Sequence, residues 1–212
     1  MVIAIDGPAG AGKSTVARAL AERLGATYLD SGAMYRSVAL LSLRAEADPD
    51  DPEVVVPLAQ ALDIRMDGGR ITVGGEDVTV AIRTPEVTAA ASRVSVHPGV
   101  REAMVERQRD LLAAGAWVAE GRDIGTVVHP QAPLKVFLTA SPEERARRRA
   151  AESGEHHVEV LSAQRERDAR DTEREHGALA PAPDSVEVDT TGLDVDGVVA
   201  RIAALASDRG LA

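Results

Sequence analysis

The segment Val2–Asp6, VIAID, runs directly into residues 7–14, GPAGAGKS, and this junction decides the fold of the chain. The short apolar run predicts a buried strand, and residues 14–24 have a helical pattern that ends at Gly25. The loop between them matches G-x-x-x-x-G-K-[ST] at every fixed position. A strand before this pattern and a helix after it are the context in which it binds nucleotide phosphates. We therefore predict a nucleoside triphosphate site in this part of the chain.

The fixed residues of this loop each have a chemical role. Glycines let successive backbone N–H groups converge on phosphate oxygens at the positive end of a helix dipole. Lys13 would reach the β and γ phosphates, and the Ser14 hydroxyl would ligate Mg²⁺ directly. A dinucleotide-binding G-x-G-x-x-G pattern is excluded because Thr15 stands at the third glycine position. The remaining alternative is a glycine-rich turn without a ligand.

Beyond the loop, the chain alternates short apolar runs with helical patterns. Strands are predicted at residues 27–29, 117–119, 134–138 and 186–188, and a helix at residues 34–43. This alternation is typical of an α/β protein with a parallel sheet covered by helices.

Residues 64–80 break the alternation. Two glycine pairs separate short β-type runs at residues 64–66, 70–73 and 77–80, which predicts a small antiparallel meander. Residues 45–57, rich in proline and acidic side chains, are predicted to be the loop that leads into this insertion.

Composition and charge exclude several classes of protein. The absence of cysteine excludes disulfides, thiol chemistry and cysteine-ligated metal sites. A formal net charge of -10 argues against broad binding to nucleic acid or anionic membranes. No apolar stretch approaches the roughly 20 residues that span a bilayer, and no basic leader precedes the first strand. We expect a cytoplasmic protein, and a monomer because no long apolar surface stripe stands out.

The distribution of basic residues favours a kinase over a nucleotide-dependent switch. The only lysines are Lys13 and Lys135, so the N-K-x-D base-reading motif of a GTPase is impossible. Arginines gather instead late in the chain. They stand at Arg145, Arg147, Arg148, Arg149, Arg165, Arg167, Arg170 and Arg174.

These arginines allow two interpretations. They can close over a transferring phosphoryl group and neutralise the charge that spreads over its oxygens, with residues 151–158 as a mobile flap. The spacing i, i+3, i+4 and i+7 predicts one shared helix face for Arg167, Arg170, Asp171 and Arg174. The alternative is a solvated helix laced with Arg–Glu pairs.

Five blocks of sequence, in order along nearly the whole chain, resemble the bacterial cytidylate kinases, which are nucleoside monophosphate kinases. The blocks are residues 5–14 IDGPAGAGKS, 28–36 YLDSGAMYR, 82–87 IRTPEV, 121–128 GRDIGTVV and 166–171 ERDARD. The resemblance implies a P-loop fold with a five-stranded parallel sheet, helices on both faces and a short helical lid. It places the core at 1–35 and 115–212, the lid near 145–165, and an acceptor-binding domain at about 36–114 that includes the β insertion. The implied reaction transfers the ATP γ-phosphoryl group to CMP or dCMP, with Mg²⁺.

The same resemblance implies roles for individual residues. Acceptor phosphate would be held by Ser31, Arg36, Arg122 and Arg174, the cytosine by Ser92, Arg101 and Asp123, and the sugar by Arg167 and Asp171. Guanidinium groups suit the phosphate because they pair with it in a bidentate way. The predicted ATP contacts are Gly7, Pro8, Ala9, Gly10, Ala11, Gly12, Lys13, Ser14, Thr15 and Arg148. The predicted catalytic residues are Lys13, Arg122, Arg148 and Arg170.

One position departs from the family pattern. Glu120 stands where the family often has an aspartate, and its longer carboxylate could hold Mg²⁺ through water. Asp30 is the competing candidate for that role.

Two other functions stay open at this stage. The same loop serves kinases with other acceptors, such as shikimate, gluconate or another nucleotide. A regulatory module that binds a nucleotide without transferring phosphate is also possible, although it leaves the grouping of Asp171 with its arginines unexplained.

Overall fold

A computed structural model of the chain describes residues 1–211, and of Glu152 and Ser153 only the backbone. The chain divides into two compact units. The first consists of Met1–Tyr28 and the chain from Leu112 onward, and the second is Leu29–Leu111.

The first unit is built on a five-stranded sheet with the strand order β2-β6-β1-β7-β8, although the last two residues of β2, Leu29 and Asp30, belong to the second unit. Its strands are β1 (Val2–Asp6), β2 (Thr27–Asp30), β6 (Trp117–Gly121), β7 (Leu134–Thr139) and β8 (Val186–Asp189). β1 pairs in parallel with both β6 and β7, and β7 pairs in parallel with β8. All five residues of β1 are buried, as expected for the central strand of a sheet covered by helices. The predicted five-stranded parallel sheet is confirmed.

Helices α1 (Lys13–Leu24) and α8 (Val195–Ser207) pack on this sheet through a core of Ile, Leu, Val and Ala. Ile3 and Ile5 of β1 meet Leu20 of α1 and Ile202 of α8 in this core, and all four are fully buried. α6 (Pro142–Ser153) and α7 (His157–Glu173) complete the unit and pack against each other. They occupy the segment predicted to be a lid.

The second unit has its own core and a separate small sheet. Its helices are α2 (Ser31–Arg44), α3 (Pro52–Gln60), α4 (Pro85–Val94) and α5 (Pro98–Leu112), and its antiparallel strands are β3 (Ile64–Asp67), β4 (Arg70–Val73) and β5 (Glu76–Asp77). Met34, Val38, Ile82, Val94 and Met104 are fully buried in this core. The predicted antiparallel meander is confirmed.

The last strand of the meander is earlier and shorter than the predicted 77–80. The hydroxyl of Thr79 accepts the Ile71 N–H at 2.9 Å and donates to Asp77 at 2.7 Å. A side chain thus takes the place of a strand carbonyl, and the regular ladder ends.

The prediction of a loop at residues 45–57 was partly wrong, because α3 begins inside it. Asp51 caps the helix by accepting the Glu53 N–H at 3.0 Å, and Pro52 occupies the first turn, where its missing N–H is not needed. Pro57 lies within this helix.

None of the helices in the described part of the chain, residues 1–211, is both long and apolar enough to cross a membrane.

Candidate active site

The predicted phosphate loop connects β1 to α1, as the pattern requires. It leaves β1 at Gly7, where φ is +150° and an added Cβ would lie 2.1 Å from the carbonyl oxygen of Leu138 in β7. No side chain fits there. Gly12, at φ +85°, precedes the first residue of α1. The N-terminal N–H groups of a 12-residue helix therefore face the end of the loop and favour an anion.

Lys13 is buried at the start of α1, and its Nζ donates to the Pro8 carbonyl at 2.7 Å. Burial and, after it, the positive charge of Arg122 together lower the pKa of Lys13 to about 7. Glu120 and Asp171 act in the opposite direction but do not restore it. The pKa of Lys13 therefore lies near neutral pH, and the side chain lies beside the loop that is predicted to bind phosphate.

Ser14 and Glu120 are joined directly. The Ser14 hydroxyl donates to Glu120 Oε1 at 2.7 Å, and the Tyr28 hydroxyl donates to the same oxygen at 3.2 Å. The guanidinium of Arg18 lies 5.3 Å from the centre of the Tyr28 ring, within the range of a cation–π contact. Glu120 is thus a buried carboxylate at the end of β6 that is held beside the hydroxyl at the end of the phosphate loop.

Asp6 connects the phosphate loop to the loop that follows β6. Its carboxylate accepts the N–H groups of Ile124 at 2.8 Å and Gly125 at 2.7 Å, at the start of a short π-helical turn, Ile124–Val128. Burial raises the pKa of Asp6 to about 6, although these two hydrogen bonds act to lower it. The backbone just after Arg122 and Asp123 is therefore fixed to the end of β1.

Arg122 forms a partly buried ion pair with Asp171 of α7. Arg122 Nε donates to Asp171 Oδ2 at 2.8 Å, and Arg174 Nη1 lies 3.8 Å from Asp171 Oδ1. Burial alone raises the pKa of Asp171, but the charges of Arg122, Arg167 and Arg174 lower it by more, and the net pKa falls below its usual range. Three predicted acceptor residues are thereby brought together with Asp171 as their shared anion.

The predicted helix face is only partly observed. α7 ends at Glu173, and Arg174 follows it in an extended conformation, with φ -63° and ψ 140°. Arg170 has an exposed side chain on α7, and Asp171 is buried. The expectation that Arg174 lies on the helix was therefore wrong, although Arg174 still approaches Asp171 across the helix end.

The arginines of α6 and α7 differ in their surroundings, since some lie beside the phosphate loop and others are exposed to solvent. Arg148 donates to Glu144 at 2.8 Å and to the Thr190 hydroxyl at 3.0 Å, and it lies 3.7 Å from the position of a Cβ added to Gly12. Arg147 and Arg165 are 66% and 64% exposed and face Glu144 and Glu143, respectively. Arg148 therefore lies beside the predicted ATP site, whereas Arg147 and Arg165 are surface residues of the Arg–Glu kind.

The second unit contains the other four residues that are predicted to bind the acceptor nucleotide, which are Ser31, Arg36, Ser92 and Arg101. Asp30 caps α2 through the Ala33 N–H at 2.9 Å and accepts from Arg36 Nη2 at 2.8 Å, and Arg83 lies 3.7 Å from the same oxygen. The buried members of the set are Ser31, Ser92 and Arg101. The Arg101 guanidinium lies 5.8 Å from the centre of the Tyr35 ring.

A family model described as cytidylate kinase matches residues 3–208. The chain belongs to the cytidylate kinase family. A curated cytidylate kinase of Solibacter usitatus is 52% identical over 92% of this chain and 87% of its own length. A bifunctional pantoate ligase/cytidylate kinase of Synechococcus sp. (strain CC9902) is 49% identical over 98% of this chain, which spans 45% of that longer protein.

A shikimate kinase structure from Bacteroides thetaiotaomicron aligns with 98% of the chain at a TM-score of 0.51 and 14% identity. At this low identity, the likeness concerns the fold alone. It agrees with the P-loop kinase fold that the cytidylate kinase family was expected to share.

The candidate metal-ligating side chains of this cytidylate kinase family member fit an Mg²⁺ ion that is held mainly by a nucleotide. Among the described residues, 1–211, no group of three or more His, Cys, Asp or Glu side chains could hold a metal ion. Mg²⁺ commonly uses only one or two carboxylates together with substrate phosphates and water. Ser14 and Glu120, 2.7 Å apart, supply a hydroxyl and a carboxylate of that kind.

Sequence reasoning assigned no individual role to three side chains that contact the predicted site, although it counted one of them, Arg145, among the late arginines. They are Asp6, Tyr28 and Arg145. A carboxylate at the end of an apolar strand was a visible signal for Asp6. No local signal existed for Tyr28 or Arg145, because their partners lie 92 and 136 positions away along the chain.

Proposed function

We propose that this chain is a nucleoside monophosphate kinase that transfers the γ-phosphoryl group of ATP to CMP or dCMP, giving ADP and CDP or dCDP. Membership of the cytidylate kinase family over residues 3–208 is the observation that carries the proposal. The geometry around Lys13, Ser14 and Arg122 supports the reaction class. A cytoplasmic location and a monomeric state belong to the same proposal.

The phosphate loop would hold the donor. Its backbone N–H groups and the N-terminus of α1 favour the phosphate oxygens, and Lys13 would exchange its hydrogen bond to Pro8 for the β and γ phosphates. Arg148, beside Gly12, would add positive charge on the same side. Burial strengthens each of these interactions because the local dielectric is low.

Mg²⁺, when bound with ATP, would neutralise charge on the β and γ phosphates. We propose Ser14 as its direct protein ligand and Glu120 as a carboxylate that contacts it through water, since the two side chains are already hydrogen-bonded. Asp30 suits the role less well, because its oxygens accept from Ala33 and Arg36.

The acceptor needs no general base, because a nucleotide phosphate is already anionic near neutral pH. Catalysis then consists of positioning and electrostatic stabilisation. We propose that Ser31, Arg36, Arg122 and Arg174 bind the acceptor phosphate. Asp171 would orient Arg122 and Arg174, since it lies between these two arginines.

The remaining roles follow the family resemblance. Ser92, Arg101 and Asp123 would recognise the cytosine, whose N4 amino group needs an acceptor and whose N3 and O2 atoms need donors. Arg167 and Asp171 would contact the sugar. Arg170, exposed on α7, is proposed to approach the transferring phosphoryl group only when ATP is bound.

An acceptor panel tests the proposal. Purified protein is given MgATP with CMP, dCMP, UMP, AMP or shikimate in one coupled assay of ADP release. CMP and dCMP should give the highest kcat/KM values. A preference for shikimate or AMP would change the acceptor, and ATP binding without acceptor-dependent ADP release would favour the regulatory module instead.

A further inference from the structure

Arg145 of α6 contacts the backbone of the phosphate loop. Its Nη1 donates to the carbonyl of Ala9, in the middle of the loop, at 3.0 Å. The same nitrogen donates to Asp168 Oδ2 of α7 at 2.6 Å, and Nε donates to the Ala140 carbonyl at 3.2 Å. The side chain is only 7% exposed. Arg145 is therefore a fixed buried group, in contrast to the exposed Arg147 of the same helix.

Asp168 completes this arrangement. Its Oδ2 atom accepts from Arg145, and its Oδ1 atom is buried and has no hydrogen-bond partner among the residues that the structure describes. An ion pair with a charge-assisted hydrogen bond of this length restrains a planar guanidinium strongly. The orientation of Arg145 is thus set by α7 and by the backbone that precedes α6.

The packing around Gly10 places the same two helices directly against the loop. Gly10 has φ +77°, and an added Cβ would lie 2.9 Å from Gln164 Nε2 and 3.0 Å from Arg145 Cβ. Gln164 in turn donates to the Arg145 carbonyl at 3.4 Å. A residue with a side chain at position 10 would separate the loop from Arg145.

The bond to Ala9 has a consequence for the other side of the loop. A peptide unit is planar, and in its trans form the C=O and the following N–H point in opposite directions. A donor that holds the Ala9 carbonyl towards α6 therefore turns the Gly10 N–H away from α6. Loop N–H groups that point inward together are what bind phosphate oxygens.

We propose that Arg145, restrained by Asp168, is a positioning residue that orients the Ala9–Gly10 peptide so that the loop is pre-formed for the donor phosphates. It acts through the loop backbone and does not itself contact the nucleotide. The inference rests on the proposed function only in taking the loop to bind the donor, and it adds a role for an arginine that family resemblance left without one.

Titration calorimetry with MgATP and, separately, with CMP tests this role in the full chain. Arg145→Ala should weaken ATP binding about tenfold or more, because the Ala9 carbonyl loses the charged donor that orients the Ala9–Gly10 peptide. Asp168→Asn should weaken ATP binding less than Arg145→Ala does. Arg145→Lys should restore part of the loss, since an ammonium keeps the charge but has all its donors on one nitrogen, whereas Arg145 uses both Nε and Nη1. CMP binding should stay within about twofold of the wild type in all three variants.

Steady-state kinetics provide the second readout. Because saturating ATP selects the correct loop conformation, KM for ATP should rise while kcat stays close to that of the wild type. Arg147→Ala, a matched surface variant on the same helix, should change neither constant.

Thermal unfolding identifies the variants that fold, and if Arg145→Ala does not, Arg145→Lys and Asp168→Asn decide. Unchanged ATP affinity in a folded variant overturns the inference, as does an equal loss of ATP and CMP affinity with a lowered Tm. A wild-type protein that binds ATP without phosphorylating CMP would refute the proposed function and leave this result intact.

Discussion

Lys13 is a buried lysine whose pKa lies near the pH at which the enzyme is expected to work. In the free protein it is mostly charged below pH 7 and mostly neutral above it, because its pKa falls from 10.5 to about 7. Triphosphate oxygens favour the charged form and would raise this pKa again. ATP binding should therefore be coupled to the protonation of Lys13.

We expect ATP binding at pH 8 to take up a proton, and ATP affinity to fall as the pH rises from 7 to 9. Calorimetry in two buffers with different ionisation enthalpies measures the uptake. Lys13→Met should abolish the uptake and reduce turnover by orders of magnitude while the protein stays folded. Tight ATP binding without proton uptake at pH 8 would contradict the prediction that Lys13 gains a proton when it binds the triphosphate.

Arg122 provides a second prediction at the residue scale. Arg122→Ala removes a predicted phosphate ligand and the donor that faces Asp171 at 2.8 Å. KM for CMP should rise about tenfold or more, because a charged hydrogen bond is lost in a buried site. The charge of Arg122 lowers the pKa of Lys13, so its removal should favour the charged form of that lysine. KM for ATP should therefore not rise. Arg165→Ala, an exposed control, should change neither value, and equal increases in both KM values would count against the proposal.

Sequence reasoning identified residues that carry their own local pattern and missed those that depend on distant packing. The position of Lys13 and Ser14 at the start of α1 was predictable because the loop motif fixes it, and their contacts with phosphate and metal stay predictions. Glu120 was found only as a departure from a family pattern. Asp6 and Arg145 act by holding backbone groups of segments far away in the chain, and no spacing rule in one sequence expresses such a contact.

At the scale of elements, the close approach of the phosphate loop to β7 makes one glycine irreplaceable. Gly7→Ala would place a Cβ 2.1 Å from the backbone oxygen of Leu138, which cannot move without breaking the sheet. We expect a loss of about 3 kcal/mol or more in the free energy of unfolding, together with loss of ATP binding.

The matched control for this substitution is Gly68→Ala. Gly68 also has a positive φ, +53°, but an added Cβ meets nothing within 4 Å. Its substitution should cost only about 1 kcal/mol, the strain of a left-handed residue with a side chain. Urea unfolding of both variants measures the difference, and similar losses would show that backbone strain, not the contact with β7, makes Gly7 necessary.

The elements that were predicted correctly have strong periodic patterns, and the errors have physical causes. α1 was predictable from its apolar spacing and its glycine stop. α3 was missed because its prolines and acids resemble a loop, although Asp51 and Pro52 form a good helix start. The end of β5 depends on the Thr79 side chain, whose bond to Ile71 no propensity rule anticipates.

At the scale of the whole molecule, the sequence supported the class of fold better than the bounds of its parts. Alternating strands and helices predicted the parallel sheet, and the paired glycines predicted the separate meander. The division at Leu29 and Leu111 corresponds to two sets of buried side chains, one for each unit. Composition alone contains no signal for such a division, because both cores use the same aliphatic residues.

The position of β8 at one end of the five-stranded sheet affects how the molecule behaves at high concentration. Within the described residues, 1–211, no strand pairs with its outer backbone groups, and such an edge can recruit a strand from another copy. In β8 the apolar Val186 and Val188 alternate with the exposed Glu187 and Asp189. Like charges on two copies would repel each other if their edges met.

We therefore expect Glu187→Val to promote reversible self-association that grows with protein concentration, measured by sedimentation velocity. Glu22→Val changes the charge equally on an exposed position of α1 and should leave the protein unassociated. Equal association of both variants would point to general loss of charge. If only Glu187→Val associates, the exposed charge of Glu187 in the last strand prevents polymerisation through the sheet edge, a role separate from catalysis.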